Sequence, residues 1–98
     1  MKLRIPARVA DHLLSSQAAY TPESDPEMAQ VLYLLRKART RKDGSCLLTL
    51  HSPDLLDTLR VYVEAMATGA ADNTHEPDGV ADLNSARAVL RALARERS

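Results

Sequence analysis

The chain has 98 residues, 13 Lys and Arg balanced by 13 Asp and Glu, 45% hydrophobic residues and only 3% aromatic ones. That length makes one domain with a modest core and excludes two independent cores. A net charge of +0 removes the bulk attraction on which most nucleic-acid and acidic-membrane binders rely, so binding of that kind would need a local patch.

Leu3 and Ile5 alternate with Lys2 and Arg4, the period of a half-buried strand, and Pro6 ends it by removing a backbone donor. Val9, Ala10, Leu13, Leu14 and Ala18 follow at helical spacing, which predicts a first helix from about Ala7 to Ala19, ending before Tyr20-Thr21-Pro22. Ser24 and Glu27 have capping-box spacing, with Pro26 tolerated in the first turn, and open a second helix. Its stripe of Met28, Val31, Leu32 and Leu35 is widened by Tyr33 and Leu34. That is more apolar face than one neighbouring helix covers, and it marks Val31, Tyr33, Leu34 and Leu35 as a candidate protein-interaction surface. Arg36, Lys37, Arg39, Arg41 and Lys42 suit a helix C-terminus before Asp43-Gly44 turns the chain.

Ser45 to Leu50 contains Cys46-Leu47-Leu48-Thr49-Leu50, a nearly continuous apolar run that predicts a second and more buried strand. Ser52 caps a third helix with Pro53 at its first position and Asp54 in its first turn. Leu56, Leu59, Val63, Met66 and Ala70 form its core stripe, with Leu55 and Tyr62 at the margin, while Asp57–Arg60 and Arg60–Glu64 are spaced as ion pairs on the wet face. A polar loop from Ala71 to Gly79 leads to a last helix over Val80 to Arg95. This helix carries Leu83, Ala86, Leu90 and Leu93 on one face and Arg87, Arg91 and Arg95 on another.

The expected fold is therefore α+β and mostly helical, β-α-α-β-α-α, with two short paired strands covered by four helices. It forms a single domain over 1–98. Residues 1–44 and 45–98 are candidate copies of one strand-proline-helix-helix pattern: a shift of 45 sets Ile5 on Leu50, and a shift of 46 sets Val9 on Leu55 and Leu13 on Leu59. The expected strand pairing places Leu3 and Ile5 beside Leu48 and Leu50.

With no Phe or Trp, the core is expected to consist of Leu, Val, Ala and Met. The single Cys46 allows no intramolecular disulfide and reads as a small buried hydrophobe in a reducing, cytoplasmic setting. The N-terminus lacks the apolar segment of a leader, and no apolar run reaches the roughly 20 residues of a bilayer span, so a soluble chain with no membrane partner is expected. His12, His51 and His75 have no neighbouring His or Cys at metal-ligand spacing. The acidic loop would place Thr74 at the first ligand position of an EF-hand and no Glu at the last. Gly44, Gly69 and Gly79 are isolated, so no phosphate-cradling loop is present. The expectation is no catalytic residue, no metal and no cofactor.

The run Leu3-Arg4-Ile5-Pro6-Ala7-Arg8-Val9-Ala10-Asp11-His12-Leu13, followed by a helix start near Ser24, resembles the ribbon-helix-helix DNA-binding family. The resemblance spans about 40 residues and implies paired strands that enter the major groove. Lys2 and Arg4 would then point at bases, with Thr49 opposite as the counterpart of Arg4. It also implies that the second helix of each unit receives a phosphate at its N-terminus. Those positions hold Glu23, Asp25 and Glu27 in one unit and Glu76, Asp78 and Asp82 in the other.

Charge is unevenly distributed: residues 1–42 sum to +4, 43–82 to −7 and 83–98 to +3. Complementary regions of this kind steer docking between proteins. The reading that follows is a non-enzymatic, small protein-binding or self-assembling module whose partner is itself, as a homodimer, or another protein. The alternative is a ribbon-helix-helix-type DNA-binding transcriptional regulator.

Overall fold

The computed structural model describes residues 2–15, 26–38 and 40–97, without the side chains of 96 and 97. The expected cap at Ser24, the last turn of the first helix beyond Ser15, the Tyr20–Pro22 turn and Arg39 lie outside the described residues. The element order is β1 (Lys2–Ile5), α1 (Ala7–Ser15), α2 (Pro26–Lys37), β2 (Cys46–Thr49), α3 (Pro53–Ala71) and α4 (Pro77–Arg97). This is the β-α-α-β-α-α arrangement expected from the hydrophobic periodicity.

β1 and β2 form one antiparallel ribbon within the chain, pairing Lys2 with Thr49, Leu3 with Leu48, Arg4 with Leu47 and Ile5 with Cys46. Leu3 thus lies beside Leu48 as expected, but Ile5 meets Cys46 and not Leu50. In an antiparallel pair, a step forward on one strand is a step back on the other. Leu50 lies past the end of β2 and is still buried. The pairing is two-fold about Leu3–Leu48: the 45-residue shift carries Lys2 onto Leu47 and Arg4 onto Thr49, exchanging the flanking pairs.

The inner face of the ribbon, Leu3, Ile5, Cys46 and Leu48, is buried against the helices. β2 is the more buried strand, as expected, since Thr49 is half-buried where β1 exposes Lys2 and Arg4, but Leu47 is 39% exposed. A two-stranded ribbon covered by helices on one face leaves its other face to solvent, so even an apolar run alternates in burial.

α1 contributes Val9, Ala10 and Leu13 to the core, and α2 contributes Met28, Val31, Leu32 and Leu35. α2 stops at Lys37, so Arg41 and Lys42 belong to the turn leading into β2. There the Arg41 N–H donates to the Ser45 carbonyl at 2.8 Å and the Gly44 N–H to the Arg41 carbonyl at 2.9 Å. Gly44 has φ 84°, a backbone state that side-chain-bearing residues rarely adopt.

α3 starts as expected: the Asp54 N–H donates to Ser52 Oγ at 3.2 Å, with Pro53 in the first turn. Its buried stripe is Leu55, Leu59, Val63, Met66 and Ala70, with Leu56 only half-buried, the reverse of the expected roles of Leu55 and Leu56. α3 runs on to Ala71 and α4 begins at Pro77, leaving a short link in place of the nine-residue loop expected. α3 and α4 form the most extensive helix pair in the fold. α4 buries Ala86, Val89 and Leu93, while Leu83 and Leu90 are half-buried.

Candidate interaction surface

The solvent side of the ribbon carries Lys2, Arg4 and Leu47, all exposed, and half-buried Thr49. Lys2 sits opposite Thr49 and Arg4 opposite Leu47. This corrects the expectation that Thr49 would face Arg4.

Arg4 is held at the start of β2. Its Nε donates to Ser45 Oγ at 3.2 Å, and its Nη2 donates to Asp43 Oδ2. Asp43 Oδ1 in turn accepts the Ser45 N–H at 3.0 Å and the Ser45 hydroxyl at 2.6 Å. These donors favour the ionised carboxylate and lower the Asp43 pKa to about 2, the Ser45 hydroxyl contributing most and Arg4 less. Sequence reading did not identify Asp43 and Ser45. Their signal was the Asp-Gly-Ser turn ahead of β2, which becomes informative once the ribbon is known to be antiparallel and Arg4 must lie near its start.

Of the residues marked on α2, Val31 is 0% and Leu35 2% exposed, so both belong to the chain's own core. Leu34 is half-buried and packs on that core. Tyr33 is exposed, with Lys37 Nζ 4.9 Å from its ring centroid, a cation–π arrangement. The sequence suggested an excess apolar face because Tyr33 and Leu34 adjoin the stripe, but α1, α3 and β2 surround α2 from several sides.

A second feature lies where α1, α3 and α4 meet. A cleft of about 440 Å³ has Met66, Gly69 and Ala70 among its lining residues, together with the carboxylates of Glu76, Asp78 and Asp82. Arg8 reaches across from α1 to Asp82 at 3.1 Å and to Asp78 at 3.4 Å. Its hydrogen bond to Asp82, followed by that to Asp78, raises the guanidinium pKa. The N-terminus of α4 is therefore rimmed by carboxylates, an arrangement that repels phosphate.

A third feature lies on the outer side of α4, where Arg87, Leu90, Arg91 and Ala94 line an open groove of about 300 Å³. Val80 is exposed earlier on the same helix.

The Cys46 thiol is buried on the inner face of the ribbon. Among the described residues, no group of three or more His, Cys, Asp and Glu is placed to hold a metal ion, and no helix is long and apolar enough to cross a membrane. Comparison with protein-family models, curated proteins and solved structures finds no match to this chain.

Proposed function

We propose that the chain is a small, non-enzymatic protein-binding module that uses the solvent face of its ribbon. The observation carrying this reading is the Arg4–Leu47 pair: Leu47 is open to solvent, and the guanidinium opposite it is engaged by Asp43. A surface built to read DNA offers free donors to phosphates and base edges. This ribbon offers Lys2, a compensated arginine, a leucine and a threonine. An exposed aliphatic side chain ringed by polar groups suits the core-and-rim arrangement of a protein interface.

The second reading, a ribbon-helix-helix-type regulator, is favoured by one observation: the antiparallel ribbon joins the leading strands of two β-α-α halves. The two readings differ in what touches Leu47. A photocrosslinking amino acid placed at position 47 in the cells that make the protein should give adducts that resist nuclease and are digested by protease. Nuclease-sensitive adducts, together with a low-salt gel shift lost in the Lys2→Ala/Arg4→Ala variant, would replace the protein-binding reading with the DNA-binding one.

A further inference from the structure

We propose that the chain associates with itself head to tail, the outer face of α4 in one copy seating in the α1–α3–α4 cleft of the next. This rests on the protein-binding reading and names one partner as a second copy. It uses surfaces separate from the ribbon.

α4 is divided by charge. Asp78 and Asp82 lie in its first turns, and Arg87 and Arg91 in its second half. Among the described residues, neither Arg87 nor Arg91 forms an ion pair, and both flank the apolar groove floored by Leu90 and Ala94. The cleft is the complement of that face. Glu76, Asp78 and Asp82 outnumber Arg8 there, with His12 in the lining and His75 Nε2 3.8 Å from Glu76, so with neutral histidines the cleft is net acidic and complements the two guanidiniums. Its floor of Met66, Gly69 and Ala70 is apolar, as needed to receive Leu90 between the arginines.

Gly69 lies within α3, where glycine lowers helix stability relative to alanine. A Cβ there would meet no heavy atom within 4 Å. The chain's own packing therefore gives no reason for the missing side chain, whereas a second copy seated in the cleft would. A two-fold contact through the groove alone would set arginine against arginine. The complementary contact joins different surfaces, and repeated from copy to copy it builds rings or open chains.

Sedimentation velocity on the full chain tests this with two one-sided variants. Arg87→Glu/Arg91→Glu removes the donor face and keeps the cleft. Gly69→Trp blocks the cleft and keeps the donor face, with Glu76→Lys on the exposed rim as a second cleft variant and the far-UV circular dichroism of each variant as the folding check. The wild type should assemble beyond dimer as concentration rises, and less so at high salt. Each variant alone should associate at least about ten-fold more weakly. An equimolar mixture of donor and cleft variants should form a 1:1 dimer and stop there, because each retains one intact surface. A mixture that stays monomeric, or variants that assemble like the wild type, overturns the head-to-tail contact. A wild type that is monomeric throughout also overturns it, while the crosslink at position 47 still decides the ribbon reading.

Discussion

Arg4 and Asp43, 39 positions apart, are joined side chain to side chain beside the ribbon, with Ser45 bonded to both. The pair links the first strand of one half of the chain to the turn that opens the other half, and it neutralises the arginine on the solvent face of the ribbon.

The Asp43 carboxyl should therefore titrate at about pH 2 in a carboxyl-detected NMR experiment, below its ordinary 3.8. Its folded pKa is the depressed one, so its contribution to stability is complete above 3.8 and is lost as pH falls from there through about 2. Because the Ser45 hydroxyl is the largest cause, Ser45→Ala should raise the midpoint more than Arg4→Ala. The opposite order would show that the arginine, and not the serine, sets the carboxylate.

Gly79 and Gly69 should respond in opposite ways to alanine. At Gly79 the added Cβ would clash with the Asn73 carbonyl, so the first turn of α4 would have to move off the link that precedes it. The expected cost is about 1–3 kcal/mol, as for other overpacking substitutions. At Gly69 the added methyl enters open space and should stabilise α3 by roughly 0.4–1 kcal/mol. Urea unfolding of the two variants measures both signs.

Several elements were legible because their signals are local. Ser52-Pro53-Asp54 carries its own cap, and the alternation of Leu3 and Ile5 matches a strand with one buried face. The misplacements all depend on tertiary environment. The apolar run of β2 does not show that Leu47 is exposed, because that follows from a single ribbon covered on one face. Leu55 and Leu56 exchanged roles, and Val89 took the buried position expected of Leu90. The direction from which a helix is covered sets the phase of its stripe, and adjacent apolar residues leave that phase open by one position. Val31 and Leu35 became core for the same reason, since the number of neighbours around α2 is not written in α2. The Asp43–Ser45–Arg4 cluster depended on strand direction.

Leu59 and Leu47 separate the core from the proposed surface. Leu59 is 0% exposed within the common core, and Leu59→Ala should cost about 2–5 kcal/mol through lost burial and the cavity left behind. Leu47→Ala removes a half-solvated side chain and should change stability by no more than about 0.5 kcal/mol. Chemical denaturation of the two variants checks the contrast. A large loss at Leu47 would mean that this side chain stabilises the fold and would remove it from the interaction surface.

Arg8 ties α1 to the start of α4 by reaching Asp82 and Asp78 from a position 74 residues before Asp82. The groups are open to solvent, so water and salt screen the pair, and the contact should add little to global stability. Its effect should be local. Arg8→Ala leaves Asp78 and Asp82 without their counter-charge beside the N-terminus of α4, and the first turns of that helix lose a tether to α1. Amide hydrogen exchange at Val80 to Leu83 should quicken in Arg8→Ala at low salt while exchange in α3 stays as in the wild type. The difference should narrow as salt is raised, because screening weakens the wild-type contact. An equal increase across α3 and α4 would show that Arg8 acts on the whole fold, and no increase at α4 would show that the bridge does not hold its first turns.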